Sequence, residues 1–96
     1  MSDAYTVTHE PDNERYALYL DDEVAGFAHY TETEHELVFD HTVVDPDHRG
    51  AGVASKLVKS ALDDVRDNST KRVVPTCSYV RAWIARHEDY SALTQR

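Results

Sequence analysis

The sequence predicts an α+β fold, in which a mixed β-sheet packs with helices in the element order β-β-β-β-α-β-α. Two observations predict it. Four segments rich in Val, Tyr, Phe and Thr follow one another closely in the first half of the chain, and the apolar residues then take up a helical period. The chain has 96 residues, the length of one domain, and we expect residues 1–96 to fold as one unit.

Four strands are predicted in the first half of the chain, and they cover Ala4–His9, Arg15–Leu20, Val24–Tyr30 and Glu36–Val44. The polar segments between them have three to five residues. Because links this short cannot cross over to a parallel neighbour, consecutive strands are expected to be antiparallel.

The fourth predicted strand is largely apolar on both faces. Alternation predicts that one face carries Leu37, Phe39, His41 and Val43 and the other Val38, Asp40, Thr42 and Val44. A strand of this kind is typical of the centre of a sheet rather than its edge.

The second half of the chain predicts two helices and a short strand. The first helix begins at Val53, ends near Asn68, and has a helically spaced apolar stripe formed by Val53, Ala54, Leu57, Val58, Ala61, Leu62 and Val65. It connects the fourth strand to a fifth, Arg72–Thr76, as a crossover. A second helix follows with Trp83 and Ile84 as core residues, and the last few residues are expected to form a disordered tail.

The charge is divided unevenly along the chain. The net charge is −8, but residues 1–48 contain thirteen acidic residues and one base, whereas residues 49–96 contain five acidic residues and nine bases. An acidic total argues against a nucleic-acid partner, which needs clustered Lys and Arg. Two interpretations of the acidic half stay open: a solvated surface, as in a salt-tolerant organism, or attraction of a cationic substrate.

A single cysteine, Cys77, rules out an internal disulfide and favours a reducing compartment. The N-terminus lacks the layout of a signal peptide, and no apolar run is long enough to span a bilayer, so we expect a cytoplasmic protein without a membrane partner. There is no CxxC pair and no helical HxxxH pair among the six histidines, so no metal site is expected.

Two of the three glycines, Gly50 and Gly52, lie between the fourth strand and the first helix. Free N–H groups and the positive end of the helix dipole make a helix start suitable for an anion, and glycine allows the backbone to approach it closely. The segment has neither the Walker pattern nor a complete dinucleotide fingerprint. A pyrophosphate site and an ordinary glycine turn before a helix are both compatible with it.

The loop contains the pattern R-x-x-G-x-A at Arg49, Gly52 and Ala54. With HTVV at 41–44, HRGAGVASKLV at 48–58, VVPTCSYV at 73–80 and RHEDY at 86–90, the chain resembles the GNAT superfamily of acetyl-CoA-dependent N-acetyltransferases, and within it a group of minimal members. The resemblance extends from about the second strand to Tyr90.

The resemblance implies a binding site for acetyl-CoA, with no metal cofactor. The residues implied to hold the CoA pyrophosphate, mainly through backbone N–H groups, are Arg49, Gly50, Ala51, Gly52, Val53 and Ala54. The pantetheine arm would lie along Thr42, Val43 and Val44, with Ser78 as a further CoA contact. The thioester would then lie where the fourth and fifth strands separate, a separation that Pro75 suits because it lacks an N–H.

Three residues are candidates for acetyl-transfer chemistry. Cys77 could protonate the leaving thiolate, or take the acetyl group itself if a helix N-terminus or a base activates the thiol; the alternative is a buried small hydrophobe. His41 is the candidate base, or else a structural histidine that holds a backbone carbonyl. Tyr79 could be the acid for the CoA thiolate, or a core residue. Asp40 and Glu36 are candidate relays for the amine proton.

The expected function is therefore acetyl transfer from acetyl-CoA to an amine, such as a protein or peptide lysine or a polyamine. Related domains have helices between their first two strands that form a wall of the acceptor site, and here only EPDNE separates His9 from Arg15. We expect an open acceptor site in a monomer or weak homodimer. A non-catalytic CoA or acyl-CoA binding module or sensor is the alternative, and an anion-binding structural domain is a third possibility.

Overall fold

Five strands form one sheet in sequence order in the computed structural model, which describes residues 5–48 and 52–96. The strands are β1 (Tyr5–Glu10), β2 (Arg15–Leu20), β3 (Glu23–Glu32), β4 (Glu36–Val44) and β5 (Arg72–Pro75). The helices are α1 (Val53–Asn68) and α2 (Ser78–Arg86), and a 3-10 segment, Glu88–Gln95, follows α2. The predicted α+β fold and its element order are confirmed.

The first four strands are joined by short turns and pair antiparallel, as predicted. Between β1 and β2 there is one 3-10 turn, Pro11–Asn13, followed by Glu14 in the left-handed region with φ of 49°. The helix α1 carries the chain across to β5, which pairs parallel with β4. β4 therefore lies inside the sheet, between β3 and β5.

The hydrophobic core lies between one face of the sheet and the helices. The inner strands contribute residues such as Tyr16, Ala28 and Leu37, and α1 contributes its predicted apolar stripe apart from Ala54. The largest fully buried side chains are Trp83, Tyr30, Phe39, Leu18, Leu57 and Leu62. Trp83 also donates its indole N–H to the hydroxyl of Ser55 at 2.8 Å, which fixes α2 against α1. The assignment of Trp83 and Ile84 to the core is confirmed.

The C-terminal residues are part of this packing, so the expected disordered tail is wrong. Tyr90 and Leu93 are buried in the core, and the Tyr90 hydroxyl donates to Asp63 at 2.7 Å. Arg96 donates to the carbonyl of Ser69 at 2.6 Å. The sequence does not predict the burial of Leu93, because a single apolar residue among polar ones gives no periodic signal.

A β-bulge in β4 overturns the predicted alternation of that strand. Tyr30 pairs with Phe39, but His29 pairs with His41, so Asp40 is an extra residue. Leu37 and Phe39 are buried in the core, whereas His41 has 72% of its side chain exposed. The prediction that His41 shares a face with Leu37 and Phe39 is therefore wrong.

The sheet surface opposite α1 carries Arg15, Phe27, His29, Asp40, His41 and Val43, and we call it the open face. None of these residues belongs to the core cluster. Two large apolar side chains near its edge, Val24 and Val43, are 42% and 48% exposed. The described helices pack on the other face, so this one is accessible.

Candidate functional site

The sheet divides between β4 and β5, and we call the opening the fork. Their parallel ladder ends at Phe39 and Pro75. Beyond it, the backbone N–H groups of Thr76 and Cys77 both donate to the carbonyl of Phe39, at 3.1 and 2.9 Å. Residues 40–44 of β4 continue with β3 as their strand partner and have no strand on the β5 side within the described chain.

Cys77 lies in the fork, at the N-cap position of α2. Its Sγ is 3.5 Å from the Oγ1 of Thr42 on β4. Burial tends to raise the pKa of the thiol, but hydrogen bonds from Thr42 and from the backbone N–H groups of Val80 and Tyr79 outweigh it and lower the pKa. Cys77 therefore lies beside a helix N-terminus, one of the two environments that a nucleophilic role for this thiol would need.

His41 lies on the open face in a hydrogen-bonded cluster with two neighbours. The Nδ1 of His41 is 3.2 Å from Oδ1 of Asp40, and the Nδ1 of His29 is 2.7 Å from the same oxygen. Burial tends to raise the pKa of Asp40, but hydrogen bonds from His29, His41 and Thr31 lower it overall. His41 contacts a carboxylate and is largely exposed. It is therefore not a structural histidine that holds a backbone carbonyl, which was the alternative for this residue.

The candidate catalytic residues occupy different sides of β4. Thr42 turns toward Cys77, while the preceding His41 points to the open face, and no hydrogen bond between His41 and Cys77 is found in the described residues. Tyr79 is half-buried and packs against the core, as the alternative for this residue supposed. Glu36, a candidate relay, is paired with Arg72 at the opposite end of β4.

The candidate CoA-binding residues are partly described. Arg49, Gly50 and Ala51 lie outside the described residues. Ser78 is exposed in the first turn of α2, Val43 is exposed, and Val44 packs against the core.

Gly52 is the N-cap residue of α1. Its φ of 74° is a left-handed conformation that favours glycine. The first intrahelical bond is from Lys56 N to the Gly52 carbonyl at 2.9 Å, so the preceding N–H groups of Val53, Ala54 and Ser55 have no intrahelical acceptor. A Cβ on Gly52 would meet no atom within 4 Å. Glycine at this position is therefore required by the backbone conformation and not by a lack of space for a side chain.

Sequence reasoning missed two residues of this region. His29 reaches Asp40 across the strand pair, and only the register of β3 and β4 could reveal it. Gly26 is buried opposite Val44, and a Cβ there would meet the carbonyl oxygen of Val43 at 2.6 Å. An isolated glycine in a predicted strand was the available signal for such a close approach.

A pocket of about 400 Å³ lies elsewhere, between the sheet and the C-terminal half of α1. It contains none of the predicted site residues. His9 stacks on Tyr16 with ring centroids 4.3 Å apart and bonds the Tyr30 hydroxyl at 2.7 Å, while Tyr16 donates to Asp64 at 2.7 Å. The polar groups of His9, Tyr16 and Tyr30 in this pocket are thus paired with partners inside the protein.

The sequence model of the GCN5-related N-acetyl-transferase family matches residues 15–93. The chain belongs to this family. Its membership supports an acetyltransferase-type function.

The family match begins at β2 and ends within the last 3-10 segment, so it covers the fork, α1 and α2. No curated protein matches the sequence significantly. None of the described helices of the domain has the length and hydropathy of a membrane span.

Proposed function

We propose that this domain is an acetyl-CoA-dependent N-acetyltransferase that acts on an amine at the open face. The observation that carries the proposal is the fork: the ladder of β4 and β5 ends at Phe39, and a thiol with a lowered pKa lies directly beyond it. Family membership adds the reaction type.

The proposed CoA site runs from the start of α1 to the fork. The N–H groups of Val53 and Ala54 would bind the pyrophosphate, in the space that the missing Cβ of Gly52 leaves empty. Arg49, Gly50 and Ala51 would add further donors and charge. The pantetheine arm would bond to the backbone of residues 42–44 as an added strand, since no strand of the described chain occupies that side.

Cys77 is proposed to carry the acetyl group. Its sulfur would attack the thioester carbonyl carbon, a new S–C bond would form, and the bond from that carbon to the CoA sulfur would break. The proton that Cys77 loses ends on the CoA thiol. The N–H groups of Tyr79 and Val80 and the hydroxyl of Thr42, which lower the pKa of Cys77, raise the fraction of reactive thiolate at neutral pH.

The amine is proposed to approach from the open face. There, His41 would take the first proton from the cationic amine before that amine enters the fork, and would pass it to solvent; Asp40 orients the His41 ring through the 3.2 Å hydrogen bond. Once neutral, the amine would reach through the fork to the acetyl carbonyl carbon on Cys77, forming the N–C bond as the S–C bond breaks, and a second amine proton would return to the Cys77 sulfur. The thirteen acidic residues among the first 48 favour a cationic acceptor such as a lysine side chain or a polyamine.

The test combines binding, intact mass and transfer. Acetyl-CoA is titrated into the purified protein by calorimetry, and the protein is then weighed after incubation. We expect saturable binding and a gain of one acetyl group that Cys77→Ala abolishes without loss of binding. Product CoA is measured by chromatography with spermidine or a lysine peptide as acceptor, because a thiol reagent would also react with Cys77. Full transfer by Cys77→Ala would overturn the role of the thiol.

His41→Ala is the second variant, and His35→Ala is its matched control, because His35 is another largely exposed histidine, on the link between β3 and β4. We expect the first to slow transfer and the second to leave it unchanged. Equal rates for both variants would remove His41 from the mechanism.

A non-catalytic CoA-binding module is the second candidate. The open face favours it, because no described helix covers the region where an acceptor would be held. Binding of acetyl-CoA without a mass gain and without transfer to any acceptor would support that function. The absence of any binding would contradict both candidates.

A further inference from the structure

Two histidines and one aspartate converge on the open face beside the fork. One nitrogen from His29, one from His41 and one carboxylate oxygen of Asp40 all lie within 4.8 Å of one another. The side chains are 35%, 72% and 25% exposed, so they are reachable from solvent. We call these three residues the His–Asp cluster.

The bulge in β4 creates this convergence. Consecutive residues of a regular strand point to opposite faces, so Asp40 and His41 could not both face the same ligand. The extra residue opposite His29 brings both to the open face. The expectation of no metal site rested on helical His spacing and CxxC pairs, and neither pattern detects a site that is formed across two strands.

We infer that the His–Asp cluster binds a divalent transition-metal ion, with Zn²⁺ as the ion to test first. Two imidazoles and one carboxylate are a donor set that such ions prefer, whereas Mg²⁺ and Ca²⁺ prefer oxygen donors throughout. The exposed side of the cluster leaves further coordination positions for water.

The observed distances are close to those that a metal needs. Zn²⁺ binds nitrogen and oxygen at about 2.0–2.2 Å, which places tetrahedral ligand atoms roughly 3.3–3.6 Å apart. The two histidine nitrogens are 2.7 and 3.2 Å from the same Asp40 oxygen, and all three ligand atoms lie within 4.8 Å of one another, so shifts of about 1 Å would suffice.

The cluster also has an outer support. Thr31 donates its hydroxyl to the second carboxylate oxygen of Asp40 at 3.0 Å, which orients the carboxylate toward the histidines. The surrounding half of the chain is strongly acidic, and its potential favours a cation.

The binding test uses full-length protein without a histidine tag. Zn²⁺ is titrated in competition with a chromophoric chelator, and Co²⁺ absorption reports the ligand set. We expect one ion per chain, and a loss of affinity of at least about tenfold in both His29→Gln and Asp40→Asn. Circular dichroism confirms that each variant is folded, and thermal unfolding gives a second readout, since bound metal stabilises the native state.

Two controls separate the cluster from other ligands. His35→Ala removes a histidine outside the cluster, and Cys77→Ser removes the thiol, a strong zinc ligand elsewhere in the fork. We expect both to bind Zn²⁺ like the wild type. The inference is overturned if the wild type binds Zn²⁺ no more tightly than His29→Gln does. It is also overturned if Cys77→Ser or His35→Ala loses affinity for Zn²⁺ while His29→Gln and Asp40→Asn keep it.

One consequence rests on the proposed function. A metal on the cluster would occupy the imidazole of His41 that would otherwise take the amine proton, so Zn²⁺ is expected to inhibit acetyl transfer without displacing acetyl-CoA. The two proposals fail separately: metal binding is measured without acetyl-CoA, and transfer is measured in the presence of a chelator.

Discussion

The thiol of Cys77 and the hydroxyl of Thr42 are 3.5 Å apart across the fork, and this contact joins α2 to β4 at the point where the two strands separate. Because the contact favours the charged form of the thiol, it helps to keep the pKa of Cys77 below its ordinary value.

Thr42→Val is therefore expected to raise the pKa of Cys77. Less thiolate would then be present at neutral pH, and alkylation by iodoacetamide at pH 7 should slow by about threefold or more. The measurement is the alkylation rate as a function of pH. Thr70→Val, on the exposed segment after α1, is the control and should leave the rate unchanged. An unchanged profile in Thr42→Val would show that the helix N-terminus alone activates the thiol.

Gly52→Ala is expected to destabilise the fold by about 1–2 kcal/mol, because the left-handed backbone at this position disfavours a Cβ. Gly52→Asn should cost less, since asparagine tolerates this conformation. Both are measured by urea unfolding, with acetyl-CoA affinity in parallel. If the empty space beside Gly52 holds the pyrophosphate, both variants lose affinity, and a bulky residue there abolishes binding. Affinity that survives in a folded Gly52→Leu would contradict that placement.

Tyr16 and Tyr30 are expected to make stability fall at alkaline pH. Burial, followed by the hydrogen bond to Asp64, raises the pKa of Tyr16, and burial raises that of Tyr30 to about 12. Since both folded values exceed the ordinary value of 10.0, the stabilisation is complete below pH 10 and is lost as the pH rises from there.

Thermal unfolding between pH 8 and about 11.5 measures this effect, over the range where an unfolded tyrosine ionises. Tyr16→Phe should cost about 1 kcal/mol at neutral pH and flatten the alkaline decline. Tyr5→Phe, on the edge strand β1, is the matched control. An equally steep decline in Tyr16→Phe would mean that other groups cause it.

Gly26→Ala is expected to destabilise the protein by about 1–3 kcal/mol, because the new Cβ would press on the backbone oxygen of Val43, and backbone cannot move as a side chain can. The urea midpoint measures the loss. A midpoint equal to that of the wild type would indicate that β3 and β4 can separate freely at this point.

Much of the fold follows from the sequence because its elements carry strong local signals. The alternating strands with short polar links predict the antiparallel pairs, and the stripe from Val53 to Val65 predicts α1. The N-terminus of α2 could be predicted as an activator of Cys77, because the helical pattern begins just after it.

The His–Asp cluster could not be predicted in this way. Its existence depends on one extra residue, Asp40, which reverses the alternation of the strand without any change in composition. The position of a bulge depends on how two strands pair, and the sequence of one strand does not determine its register with the other. The same limit applies to Leu93, which is buried because of tertiary packing alone.

The carbonyl of Phe39 has a further consequence. This carbonyl accepts hydrogen bonds from two N–H groups of the segment that follows β5. The backbone groups at the point where β4 and β5 separate are therefore hydrogen-bonded, not left unpaired. The fork is therefore already open in the protein without a ligand. Under the proposed function, the thioester of acetyl-CoA could enter the fork without separating β4 from β5. Most of the conformational entropy lost on binding would then be lost by the ligand. The enthalpy and heat-capacity change of binding should therefore reflect the contacts that the ligand makes and not a rearrangement of the protein.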